Sequence, residues 1–267
     1  MQPLIDADVL RYEVGYAAEA GWQLPGVPPW DYVEKILTER IANICAMVNA
    51  TMHPLLYLTG KENFRYAIAR KRPYKERPGL KPYHYKNLTA YLNAVYDTRL
   101  VEGLEADDLM SIEQTKRPGE TIICTRDKDL RQVPGWHYGW ELAEQPSFGP
   151  LKVEGIGLIE LETKINAKGI KTNKIRGYGE LFFYSQILTG DAVDTVPGLP
   201  GCGPAKAFDI LTGSESIQDA FNRVVEAYRG FYGDTWETEL LEQGQLLFMI
   251  RELNEDGSPK MWEFPNI

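Results

Sequence analysis

The chain has 267 residues, 43% of them hydrophobic, with 29 basic against 38 acidic side chains and a formal charge of −9. That length and apolar content support one large or two unequal globular domains; no apolar run reaches the ~18 residues of a membrane span, and the start, Met-Gln-Pro-Leu-Ile-Asp, lacks an export signal. Cys45, Cys124 and Cys202, like His53, His84 and His137, are scattered, which argues against a disulfide framework, a zinc site or a Ser-His triad and predicts a cytoplasmic protein without membrane partners.

In chain order, Pro3–Ile5 reads as a short apolar strand running into Asp6-Ala7-Asp8, and Val9 to about Ala20 as a helix. After a Pro- and Gly-rich loop from Trp22 to Trp30, Val33, Leu37, Ile41, Ile44 and Val48 recur at helical spacing and predict an amphipathic helix facing the core. Leu55–Leu58 predicts a buried strand. From Lys61 to Lys86 the chain then carries nine Lys or Arg against two Glu, so this segment is +7 and the remainder −16. Prolines at 73, 78 and 82 argue against a single rigid helix here. A solvated basic face is the bland reading of such a run. The interleaved Phe64, Tyr66, Tyr74, Tyr83 and Tyr85 favour a mobile loop or arch that stacks on bases and pairs with phosphates.

Leu88–Tyr96 returns as helix, and Val101-Glu102-Gly103 leads to Glu105-Ala106-Asp107-Asp108, with Leu109 and Ile112 at helical spacing. Acids in a first helical turn are favoured by the dipole, but three carboxylates within four residues exceed what capping requires. Thr121–Cys124 predicts a buried strand, after which alternate spacing would aim Asp127 and Asp129 the same way. Strands that end in acids and alternate with helices predict an α/β fold with a mainly parallel sheet whose carboxyl edge holds the site. Residues 151–177, with Lys164, Lys168, Lys171, Lys174 and Arg176 as a second basic patch, predict a hairpin or linker. From Tyr178 the reading is helical, through Asp219–Tyr228 and Leu240–Arg251, which divides the chain into domains 1–177 and 178–267.

The stretch Leu188–Phe208 joins two kinds of chemistry. Asp191 and Asp194, at i and i+3, can face one side of a helix or turn. Gly198, Gly201 and Gly203 permit positive φ and close approach, and Pro204 suits the first position of a new helix. The unpaired N–H groups of that helix start, with Lys206 beside them, favour a phosphate. If these acids converge with Asp6, Asp8, Glu105, Asp107, Asp108, Asp127 and Asp129, they raise one another's pKa until divalent cations relieve the repulsion. An all-oxygen ligand set favours Mg²⁺ or Mn²⁺. Two such ions roughly 3.5–4 Å apart can activate water and stabilise the leaving oxygen of a phosphodiester.

The motifs Glu105-Ala-Asp-Asp, Asp127-Lys-Asp129 and Gly190-Asp-x-x-Asp194, followed by Gly198-x-x-Gly-x-Gly203, resemble in order and spacing the flap endonuclease and 5′-nuclease superfamily, with a look similar to bacteriophage 5′-3′ exonucleases. The resemblance implies a PIN-like α/β domain, a helical arch near 61–88 and a C-terminal helix-three-turn-helix domain that holds duplex DNA, in some members with K⁺ at its backbone carbonyls. It implies metal ligands at Asp6, Glu105, Asp107, Asp108 and Asp127 for the ion nearer the attacking water, with Asp129, Asp191 and Asp194 holding or orienting the second. Tyr74-Lys75-Glu76-Arg77-Pro78 resembles the family's Tyr-Lys-x-x-Arg with one residue fewer, so Lys75 and Arg77 are the expected catalytic cations; Gly198, Gly201, Gly203 and Lys206 are the expected DNA contacts. The implied activity is Mg²⁺-dependent 5′-3′ exonuclease and flap cleavage in phage-type replication or recombination, on DNA or RNA/DNA hybrids, with replication proteins as partners. One departure stands out: Gly60 occupies the position where the family usually has an aspartate, leaving Asp8, Glu62 or a water to compensate. It favours the alternative of a structure-specific DNA-binding protein with little or no turnover.

Overall fold

A computed structural model describes residues 1–75, 79–143, 145–165 and 169–265. Arg77 and Lys168, both singled out in the sequence, lie outside the described residues. The chain divides into two compact units, one comprising residues 1–63, 78–130 and 135–152, the other 64–77, 131–134 and 153–267.

In the first unit the elements run β1 (Gln2–Asp6), α1 (Ala7–Gly21), α2 (Trp30–Met47), β2 (Leu55–Asn63), and then, past residues of the second unit, α4 (Tyr85–Val95), β3 (Asp97–Gly103), α5 (Ala106–Lys116), β4 (Thr121–Cys124), β5 (Gly135–Gly139) and β6 (Phe148–Val153). The short helix α3 (Arg65–Ile68) belongs to the second unit. The sheet has six strands in the order β3-β2-β1-β4-β5-β6, and β1 through β5 pair in parallel. This is the mainly parallel α/β sheet that acid-ended strands alternating with helices predict. Every residue of β1 is buried, as a central strand covered by helices on both faces requires. Helix α2 buries Val33, Leu37, Ile41 and Ile44, the stripe visible in the sequence. Each such side chain contributes about 1.5–3 kcal/mol when removed from water.

Parallel pairing puts the carboxyl ends of β1 to β4 on one edge of the sheet. Asp6 pairs with Tyr57, Ile5 with Cys124, and Thr59 with Val101, so the residues that follow each strand emerge near one another. Strand β2 is longer than its apolar core suggests. Between Thr59 and Asn63 its register against β3 slips: Thr59 pairs with Val101, Asn63 with Gly103, and three residues of β2 bulge opposite Glu102.

The second unit contains the antiparallel hairpin β7 (Leu158–Ile165) and β8 (Lys171–Tyr178), which resolves the choice between hairpin and linker. It continues through α6 (Gly179–Thr189), α7 (Pro204–Leu211), α8 (Ile217–Tyr232) and α9 (Trp236–Leu247), with α6 buried along most of its length. Helix α9 stops at Leu247 rather than running on to Arg251, because Phe248 turns extended at ψ 129°. Its freed carbonyls are taken up inside the unit. Arg65 donates to Leu246 O at 3.0 Å and Phe248 O at 2.8 Å, and Gln132 donates to Leu247 O at 2.9 Å. Among the described residues no helix is long and apolar enough to cross a membrane.

Candidate metal centre

Asp6 ends β1 and begins α1. Its Oδ1 caps the helix by accepting from Val9 N–H at 3.0 Å, while Oδ2 accepts from the Thr125 hydroxyl at 2.7 Å, tying the end of β1 to the end of β4. Asp8, in the first turn of α1, accepts from Thr59 N–H at 2.9 Å and pairs with Arg11. Thr59 in turn accepts from Ala106 N–H at 2.9 Å, which fixes the start of α5 against the end of β2. Neither threonine stands out in the sequence, since a hydroxyl that orients a carboxylate has no pattern of its own.

At the head of α5, Glu105 and Asp108 form a capping box: the Glu105 side chain accepts from the Asp108 N–H, and Asp108 accepts from Glu105 N–H at 3.1 Å. Two of the three acids there therefore have a structural task, and Asp107 is the one outside the box. Beyond β4, Asp127 Oδ1 accepts from Asp129 N–H at 2.8 Å, and Asp129 opens a single 3₁₀ turn with Lys128 at 2.7 Å from its Oδ1. A local turn, rather than strand alternation, relates these two acids.

The electrostatics bind these carboxylates into one set. The pKa of Asp6 is raised to about 6, first by burial and then by the Asp8 charge, against hydrogen bonds from Val9 and Thr125 that lower it. That of Asp127 is raised to about 8, first by removal from water, then by Asp129, with a smaller contribution from Asp6. Asp127 keeps some surface exposure, so the surrounding protein rather than full enclosure is what strips its solvent. Two aspartates with such raised values, among oxygen donors only, fit a hard divalent cation, whose charge reverses the cost of ionising them. Among the described residues no three His, Cys, Asp or Glu side chains already close on one point. Mg²⁺ does not need them to, because it keeps several waters and takes one or two carboxylates.

Gly60 sits in the β2 bulge. A Cβ added there would lie 2.5 Å from the Glu102 Cδ and 2.5 Å from the Val101 carbonyl oxygen. Glu102 is held over the bulge by Lys61 N–H, which donates to its Oε2 at 3.0 Å. A carboxylate from β3 thus fills the space that a side chain at residue 60 would take. The cross-strand register that brings it there is not written in either strand's sequence.

Asp191 and Asp194 belong to the second unit. Asp191 shapes the turn after α6: its Oδ1 accepts from Val193 N–H at 2.7 Å and Asp194 N–H at 3.3 Å, and its backbone exchanges two 2.8 Å hydrogen bonds with Val196. Asp194 accepts the Tyr74 hydroxyl at 3.0 Å and lies 3.7 Å from Lys75 Nζ. Of the glycines, Gly198 is internal. Its N–H donates to Gln243 Oε1 at 2.9 Å, and its φ of 67° brings it so close to Gly190 that a Cβ would meet Gly190 N at 2.3 Å. Gly201, Gly203 and Lys206 are exposed around the start of α7, with Gly203 as N-cap and Pro204 in the first turn. The basic strip is less uniform than its composition suggests: Arg65 is fully buried, and Lys71 pairs with Glu239 and Tyr232.

Comparison with known proteins gives a consistent set of relatives. A stretch of 200 residues, 70% of the chain, is 26% identical to the flap endonuclease Xni of Shewanella baltica and spans 68% of it. A stretch of 188 residues is 24% identical to a 5′-3′ exonuclease of Streptomyces coelicolor, spanning 59% of that protein. Identity reaches 30% over 130 residues of the DNA polymerase I of Rhizobium leguminosarum, although the chain spans only 11% of the polymerase's length. No family model matches. Among solved structures, the fold aligns with a bacteriophage T5 protein co-crystallised with metal ions, at a TM-score of 0.50 and 12% identity over 92% of this chain and 99% of that one. The T5 flap endonuclease in a complex with DNA and metal ions aligns over the same shares at 0.51 and 12%. At that identity the structural likeness concerns the fold.

Proposed function

We propose that this chain, a homologue of the flap endonucleases and 5′-3′ exonucleases of the 5′-nuclease superfamily, hydrolyses DNA phosphodiesters near 5′ ends or flaps with divalent metal ions. The observation that carries the reading is the acid set at the carboxyl edge of the parallel sheet, where Asp6 and Asp127 are held with raised pKa values and local hydrogen bonds from Thr125 and Asp129. Asp6, Glu105, Asp107, Asp108 and Asp127 would hold one ion; Asp129, Asp191 and Asp194 would hold or orient a second. Bound there, Mg²⁺ or Mn²⁺ would supply a nucleophilic hydroxide at neutral pH and charge neutralisation at the leaving oxygen.

The chain's own groups do the rest. Lys75 and Arg77 present positive charge to the scissile phosphate. Gly201, Gly203 and Lys206 offer backbone N–H groups and an ammonium to the phosphates of a duplex, in a helix-three-turn-helix built on α6 to α7, where a K⁺ at backbone carbonyls is the remaining inorganic partner. Gly198 supports the turn from within. RNA/DNA hybrids, replication proteins, a phage-type setting and the cytoplasm, or the host cytoplasm for a phage gene, complete the reading.

The test is a duplex with a 5′ flap, labelled at either end. Short products released from the 5′ side in Mg²⁺, and abolished by EDTA, are the expected result. Tight binding without cleavage in both Mg²⁺ and Mn²⁺ would instead leave a DNA-structure binder, the reading that Gly60 favours.

A further inference from the structure

We propose that Asp194 is the positioning residue for Lys75, through a latch that joins the turn after α6 to the segment 73–75. The proposal rests on the nuclease reading above and refines it: of the two roles open to Asp194, holding an ion or orienting a catalytic group, the contacts favour the second. All of them lie within the second unit. Tyr74, nearly buried, donates its hydroxyl to Asp194 Oδ2 at 3.0 Å, and Lys75 Nζ lies 3.7 Å from Oδ1. The Lys75 N–H donates to the Asp194 carbonyl at 3.3 Å. The Thr195 hydroxyl donates to the Pro73 carbonyl. Consecutive residues on one side thus meet consecutive residues on the other, through both side chains and backbone.

Backbone conformation supplies an independent mark. Lys75 has φ +50° and Thr195 φ +60°, the left-handed region that side chains other than glycine enter rarely and β-branched ones most rarely. Strained residues persist where surrounding contacts over-determine them, and such positions cluster at functional sites. Here one sits on each side of the latch. Exposure sorts the two charges: the Lys75 side chain is 39% exposed and that of Asp194 14%. The carboxylate is the fixed, deeper member and the ammonium the accessible one. A half-exposed pair at this distance is weak, so a phosphate can claim the ammonium without a large loss.

The test combines chemical labelling with kinetics on the full chain. Acylation of Lys75, followed by peptide mass spectrometry, is expected to run at least three-fold faster in Asp194→Asn than in the wild type. On a 5′-flap substrate, Asp194→Asn is expected to lower kcat about ten-fold or more, Lys75→Ala at least as much, and the double variant no further than Lys75→Ala alone, the non-additivity of residues acting as a unit. Mn²⁺ affinity measured by calorimetry on the protein without DNA should stay within about two-fold. Unchanged Lys75 acylation, additive kinetic losses, or a ten-fold fall in Mn²⁺ affinity would each overturn the proposal, the last by making Asp194 a ligand. Should Asp194→Asn misfold, Tyr74→Phe removes only the hydroxyl and must shift acylation and kcat in the same direction. Faster acylation in a protein whose wild type cuts no DNA would sink the nuclease reading and leave the latch standing.

Discussion

Asp6 and Asp127 show what the protein gives up to keep acids at the sheet edge. Both folded-state values lie above the ordinary aspartate value of 3.8, at about 6 and about 8. A raised pKa means that the folded chain prefers the protonated form, so this contribution to stability is fully present below about pH 4 and is lost as pH rises through 6 and then 8. Without divalent ions, Asp127→Asn is therefore expected to be more stable than the wild type by about 1–3 kcal/mol at pH 8, roughly 2–8 °C in melting temperature, with the difference vanishing near pH 4. Calorimetric melting in EDTA across that range checks it. Added Mg²⁺ should raise the wild-type melting temperature more than that of the variant; equal shifts would mean that Asp127 does not face the ion.

At the level of elements, the β2 bulge and the end of α9 carry the two sharpest expectations. Gly60→Asp adds a Cβ within 2.5 Å of the Val101 carbonyl oxygen, a contact that no rotamer relieves, and should cost about 1–3 kcal/mol in urea unfolding. It should not raise Mn²⁺ affinity in calorimetry; tighter binding would show that residue 60 is a vacated ligand position after all. Arg65→Met leaves the Leu246 and Phe248 carbonyls without their guanidinium donor and should cost about 2–4 kcal/mol by the same unfolding measurement. A loss below about 0.5 kcal/mol would place Arg65 with the solvated cations of the basic strip.

These same elements mark the limit of what the sequence conveys. Strands β1 and β4 and helix α2 are legible because burial imposes a period on apolar residues, and the acids behind the strands are legible because parallel pairing delivers strand ends to one edge. Glu102 is invisible to such reasoning: it matters through a register slip between two strands, a non-local property. Arg65 misleads for a related reason, since a charge count gives a cation the same weight whether it meets water or the end of a helix. Gly198 looks like a phosphate loop residue, yet its N–H is committed to Gln243.

For the molecule as a whole, a net charge of −9 is compatible with acting on a polyanion because charge is distributed unevenly, and because bound dications would offset the acid edge. The relatives support a 5′-nuclease function, and the parallel sheet supplies the edge on which its acids stand. The most direct measurement is single-turnover cleavage of a 5′-labelled flap at saturating Mg²⁺ by wild type and Asp127→Ala, with DNA affinity measured in parallel in Ca²⁺. The account predicts a fall in rate of at least about 100-fold with DNA affinity within a few-fold, the mark of a group needed in the transition state rather than for binding. Cleavage by Asp127→Ala at near wild-type rate would contradict it.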